Sequence, residues 1–333
     1  MSNSQNRKKL YLTFILMCVI VLTGISFFSG CSQQEQAVDL YVDAVMLKEL
    51  NENEKAIEKL NEATNVNKNF SLAYSMLGRI YQEMQEYDKS VASYERATQL
   101  NRWSFRDYFS LGRVYQVMKN FVQAVKAYSR ACELKPDHRD AHLYAAQSYY
   151  EIKDYSNALV YGEQAERIDP DAGEIQKLLG DIYGDQKDYE QAIRSYKRAL
   201  EIDSNDPNIM TSLAVAYLKT NRNEPAKELL SSVVSIQPDN NVAYKHLGYT
   251  YLKLKDIDKS IESYTKAIEI NKEDWDAHRG LGVSYILQSK AAEGAIEEEL
   301  TKKAIHHWQL SLEIKPDQPN RERLKKLIEY YYQ

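Results

Sequence analysis

The side chains that most often carry out chemistry are present in this chain, but their spacing does not set them up for it. The six histidines stand at 138, 142, 246, 278, 306 and 307. His138 and His142 are four apart, a spacing that can put two ligands on one helical face, but a repeat boundary falls between them. His306 and His307 are adjacent, so on a helix they point in different directions. No Cys/His set has zinc-site spacing. There is no Gly-rich phosphate loop and no Gly-x-Ser-x-Gly elbow. The run Glu297-Glu298-Glu299 reads as a solvated helix face, not as a general acid/base pair. The expectation is no catalytic residue, no metal and no cofactor.

One residue does invite a reaction, and its setting is the N-terminus. Arg7-Lys8-Lys9 precede an apolar run of 19 residues, Leu10 to Phe28, broken only by Thr13, Thr23, Gly24 and Ser26. Small residues then lead to Cys31, which is the layout of a secretory signal. Ser29, Gly30 and Cys31 resemble the lipobox of bacterial lipoproteins, with Phe28 where that family usually has Leu. The resemblance implies a signal peptide over 1–30, cleavage, and acylation (palmitate) of Cys31. Acyl chains contribute about 0.8 kcal/mol per buried CH₂, so several chains anchor firmly. The second reading is an uncleaved membrane helix, since the run is long enough to span a bilayer. Either way the basic residues stay inside and the rest faces outside the cytoplasm, in periplasm or at the cell surface. Residues 31–36 then read as a tether. Cys18 lies in the apolar run and only Cys132 lies in the body, where it reads as a small core residue.

The elements that must position any site are helices. The chain has 333 residues, 44% of them apolar, with 43 Lys plus Arg against 48 Asp plus Glu. That composition excludes wholesale disorder, and the net charge of −5 argues against a nucleic-acid binder. Tyrosine is in excess, 26 against 7 Phe. Leu-Gly-x-x-Tyr recurs at 77–81, 111–115, 179–183, 247–251 and 281–285, always in steps of 34 or twice 34. The frames are 37–70, 71–104, 105–138, 139–172, 173–206, 207–240, 241–274 and 275–318, the last with ten extra residues near 290–300. Column 8 is always Gly or Ala. Column 11 is Leu47 and then seven Tyr. Column 20 is Ala or Ser, column 27 is mostly Ala, and column 32 holds Pro136, Pro170, Pro238 and Pro316. Positions 7, 8 and 11 share one helical face, and 20, 24 and 27 share a second. Each 34-mer is thus a pair of helices nested on tiny residues, with Asp or Asn capping the second helix and Pro ending it.

These columns closely resemble the tetratricopeptide repeat (TPR) family over residues 37–318. The resemblance implies an all-α fold: a right-handed α-solenoid of about eight helical hairpins. Residues 319–333 add an amphipathic C-terminal capping helix, with Leu324, Leu327, Ile328 and Tyr331 on one face and Arg321, Arg323, Lys325 and Lys326 on the other. It also implies a concave groove lined by positions 2, 5, 6, 9, 12 and 13. Those columns supply Arg79, Arg106, Arg113, Phe109 and Gln116 in repeats 2 and 3. Repeats 4 and 5 supply Tyr144, Gln147 and Lys177 among several acids, and repeats 6 to 8 supply Lys219, Lys245, Tyr249, Leu252 and Arg279. Arg79 and Arg113 share column 9 of neighbouring repeats and suit an acidic group. Lys245 with Tyr249 makes a second such place. The family's two-carboxylate clamp needs an Asn that this chain lacks.

The expected function is a non-enzymatic, membrane-tethered scaffold that holds peptide segments or protein partners in its groove, in assembly of a cell-envelope complex for pili, the outer membrane or export. The alternative is an accessory of exopolysaccharide export that contacts a polymer directly.

Overall fold

The structure, a computed structural model, describes residues 32–291 and 295–332. Residues 1–30, expected to be a signal peptide, and Cys31 lie outside these. The described residues hold seventeen helices and no strand. They run as hairpins: α1 (32–49) with α2 (Asn53–Val66), α3 (Ser71–Glu83) with α4 (Tyr87–Leu100), and α5 (Phe105–Val117) with α6 (Phe121–Leu134). Then follow α7 (Arg139–Glu151) and α8 (Tyr155–Ile168), α9 (Gly173–Asp185) and α10 (Tyr189–Ile202), and α11 (Pro207–Lys219) and α12 (Asn223–Ile236). The series closes with α13 (Asn241–Leu254) and α14 (Ile257–Ile270), α15 (Trp275–Ser289) and α16 (Ala295–Ile314), and α17 (Arg321–Tyr332). From α3 to α15 every first helix starts at position 1 of its 34-residue frame. From α2 to α14 every second helix starts at position 17 and ends at position 30.

Side-chain caps fix many of these starts, though α2, α3, α4, α9 and α12 keep the register without one. The Asn120 and Asp188 side chains accept from the backbone N–H three residues on, as do Asp154 and Asp256, so each starts a second helix. Ser104, His138, Asn240 and Asp274 do the same for first helices. Between the two helices of each hairpin, position 15 lies in the left-handed region: Asn51, Gln85, Lys119, Lys153, Lys187, Asn221 and Lys255, with φ between 57° and 65°. No glycine serves this turn.

The chain divides into two compact units between Tyr161 and Gly162. In the first unit, Tyr94 and Tyr128 lie buried over Gly78 and Gly112. A Cβ built on Gly78 would stand 2.8 Å from the Tyr94 ring, and one on Gly112 would stand 2.7 Å from Tyr128. The second unit repeats this with Tyr196 over Gly180, Tyr264 over Gly248 and Trp308 over Gly282. Where column 8 is Ala, column 24 is smaller: Leu60 goes with Ala44, Leu230 with Ala214, and Gly162 stands in the frame of Ala146. Gly with Tyr and Ala with Leu thus have nearly the same combined volume, as close packing demands, whereas Ala146 with Gly162 departs from that rule. Ser90 and Ser260 in column 20 donate to the Gly78 and Gly248 carbonyls at 2.7 and 2.8 Å. Cys132 is buried and free, as expected. Burial pushes its thiol pKa up to about 12, so it is inert.

Two expectations change. Residues 32–36, expected as part of a tether, belong to α1, which is already helical from residue 32. Its sequence there, Ser-Gln-Gln-Glu-Gln-Ala, has no Gly or Pro to stop a helix, and Ala37 is buried. Part of the ten-residue insertion of the last hairpin is helical instead of loop. Ala304 marks column 20, so the usual start would be 301, yet α16 begins at Ala295. Six of the inserted residues thus lengthen the helix.

Candidate functional site

In the second unit, α11, α13, α15 and α17 enclose an open trough of about 560 Å³. Its apolar wall is Val215, Leu218, Leu252, Val283, Leu324 and Leu327, with Tyr249 and Tyr264 between them. Its cations are Lys219, Lys245, Arg279 and Arg323. Lys245 is 3.6 Å from Asp274, and Arg279 donates to Asp276 at 2.5 Å. Lys219 and Arg323 have no ion-pair partner among the described residues. His246 also lines the trough. Burial, with the Lys245 charge beside it, lowers its pKa to about 4, so it is neutral at pH 7.

The first unit has a second trough, of about 540 Å³, lined by Arg79, Arg106 and Arg113 with Ser71, Ser75, Ser104 and Ser110. Arg79 Nη2 lies 2.8 Å from Met76 Sδ, and none of the three guanidiniums has an ion-pair partner among the described residues. Glu83 is also there, but Lys48 holds it at 2.5 Å.

The residues expected to face a partner therefore fall into groups. Arg79 and Arg113 share one trough, and Lys245, Tyr249 and Arg279 share the other. Phe109 and Tyr144 stack on each other (5.9 Å, 20°), and Phe109 stacks on Phe105 (5.6 Å, 15°). Their ring faces are thus occupied. Gln147 accepts from Gln116 Nε2 at 3.3 Å, and Gln116 in turn accepts from the buried Tyr128 hydroxyl at 2.8 Å. Lys177 does not join either trough, because Asp181 neutralises it at 2.7 Å, and the Tyr196 hydroxyl donates to the other oxygen of that carboxylate at 2.8 Å.

Column reading did not find the contribution of α17. Arg323, Leu324 and Leu327 sit outside the 34-residue frames, and only the amphipathic pattern of 319–333 signalled them. It also did not find a histidine pair. His278 Nδ1 and His307 Nδ1 approach to 2.9 Å across α15 and α16. His278 Nε2 donates to the Lys272 carbonyl at 3.1 Å, which leaves its Nδ1 as the acceptor and makes His307 the donor. His142, also at position 4, likewise reaches the Pro136 carbonyl at 3.0 Å. Both histidines tie down the loop before their helix. No three His, Cys, Asp or Glu side chains cluster as metal ligands among the described residues.

Models of the tetratricopeptide repeat match residues 185–247 and 242–274, in register with the helical hairpins above. The chain is a TPR protein. A model for anaphase-promoting complex, cyclosome, subunit 3 also matches residues 83–163. No curated protein matches the TPR chain in sequence. Among solved structures, YrrB, described as a TPR protein with an unusual peptide-binding site, is 19% identical, with a TM-score of 0.50 over 61% of this chain and 100% of its own. Pseudomonas aeruginosa pilF is 17% identical, with a TM-score of 0.51 over 62% of this chain and 94% of its own. In the APC/C hetero-tetramer Cut9-Hcn1, the matching chain is 16% identical, with a TM-score of 0.54 over 87% of this chain and 55% of its own. At these identities the likeness is one of fold. The TPR scaffold is suited to binding protein or peptide.

Proposed function

We propose that this TPR protein is a non-enzymatic scaffold, held at a bacterial membrane through Cys31, that binds acidic segments of protein partners in the assembly of a cell-envelope complex. One observation carries the reading. The troughs hold cations without ion-pair partners among the described residues: Arg79, Arg106 and Arg113 in one unit, Lys219 and Arg323 in the other. Elsewhere many surface lysines and arginines are paired with nearby acids, as Lys59 with Glu62, Arg130 with Glu133 and Lys266 with Glu269. Unpaired guanidiniums in a concavity bind carboxylates well. The peptide-binding site in the description of YrrB is consistent with such a use. The cluster of Phe105, Phe109 and Tyr144 lends the polymer-contacting alternative no support, since these three rings stack on one another.

The test is a crosslinking pull-down from intact envelopes. Arg79→Glu with Arg113→Glu is expected to abolish capture of an acidic partner, and unchanged capture overturns the groove assignment. Palmitate labelling is expected to vanish with Cys31→Ala. Labelling that persists, or is absent from the parent chain, overturns the lipid anchor.

A further inference from the structure

The first helix carries an apolar row that no described residue of its own unit covers. Ala37, Leu40, Tyr41 and Ala44 turn inward. Val38, Val42, Met46 and Leu50 are 40%, 43%, 61% and 68% exposed, spaced four residues apart along one ridge. Acids flank that ridge: Glu35, Asp39, Asp43 and Glu49, all exposed. The only cation of the helix, Lys48, turns away to Glu83. The surface is therefore an acidic, apolar helical stripe.

The trough of the second unit has the opposite charge and the same mixture. Val215, Tyr249 and Val283 recur along it once per hairpin, and Lys219 and Arg323 flank them without ion-pair partners among the described residues. The lengths agree. Val38 to Leu50 spans about 18 Å at ~1.5 Å per residue. Two steps between neighbouring helices of the trough span about 16–20 Å. Each surface lies wholly within one compact unit.

We propose that α1 of one copy docks in the trough lined by Lys219, Tyr249, Val283 and Arg323 of a second copy. The contact is heterologous: each copy offers one stripe and one trough. Its charge complementarity selects α1 over a basic helix, and its apolar row supplies the burial. The proposal rests on the trough being a protein-binding site, and it leaves the arginine trough of the first unit free for another partner.

The experiment uses the full chain in non-ionic detergent, as two populations with different tags, one of them carrying Met46→benzoylphenylalanine. Irradiation is expected to crosslink the two tags, with the adduct mapping to residues 215–219, 245–252, 279–283 or 323–327 of the other copy. Asp39→Lys with Asp43→Lys in the donor is expected to cut the yield about tenfold or more. Lys219→Glu with Arg323→Glu in the acceptor should do the same. Combining the two reversals is expected to restore the yield, which a folding defect would not do. Adducts to residues 10–28 of the same chain, to detergent or lipid alone, or no adduct between tags overturn the proposal, as does a yield indifferent to charge reversal. Envelope capture through Arg79 and Arg113 is read separately, so failure here does not decide that test.

Discussion

Glycine in column 8 and the ring in column 24 are two halves of one packing unit. Tyr128 is fully buried over Gly112. Gly112→Ala drives a methyl into that ring at 2.7 Å, and such overpacking costs about 1–3 kcal/mol. Tyr128→Leu removes the obstruction, and this chain itself pairs Ala with Leu at Ala44/Leu60 and Ala214/Leu230. The double variant is therefore expected to recover most of the loss caused by Gly112→Ala, read as a non-additive cycle in chemical denaturation. Additive losses would contradict the pairing. The same scale explains much of the tyrosine surplus. Tyr115, Tyr149 and Tyr183 in column 11 each reach a partner twenty residues back: Glu95 at 2.5 Å, Ser129 at 3.3 Å and Glu163 at 3.4 Å. Tyr94 and Tyr128 in column 24 reach Gln82 and Gln116. The structure engages these hydroxyls within the stack.

At the scale of elements, the last hairpin is where acid acts. Burial, then the neighbouring His278 and His306, lowers the His307 pKa to about 4. His246 is lowered to about 4 by burial and by Lys245. Unfolded histidine titrates near 6.5. Between about pH 6.5 and 4 the unfolded chain takes up protons that the folded unit refuses, so stability falls as pH drops through that window and levels off below it. Thermal unfolding across pH 4–7.5 is expected to show this decline, and His307→Gln should flatten it. A melting temperature that rises on acidification would contradict it. The helix frames themselves were legible in the sequence, because a period of 34 needs only the small residues and caps to show. The extension of α1 to residue 32, the growth of α16 and the wall formed by α17 were not. Each lies at an end or an insertion, where no neighbouring repeat supplies a column to read. The His278–His307 contact joins two helices across the inserted residues, so no fixed spacing announced it.

At the scale of the whole molecule, function follows from charge held on a repeating frame. The 34-residue period sets one cation per inner helix at column 9 in Arg79 and Arg113, and neither has an ion-pair partner among the described residues, although Glu83 and Asp107 line the same trough. Lys177 occupies column 5 of its repeat, but Asp181 four residues on neutralises it. Whether a groove cation is free therefore depends on the residue one turn away, which is why the groove residues were only partly legible from their columns. The most direct measurement is fluorescence anisotropy of two labelled peptides against the full chain in detergent, one alternating Glu with Leu and one alternating Lys with Leu. The account predicts that the acidic peptide binds, that added salt weakens it, and that reversal of Arg79 and Arg113 together with Lys219 and Arg323 abolishes it. Equal binding of both peptides, or binding of the acidic one that survives all four reversals, would contradict it.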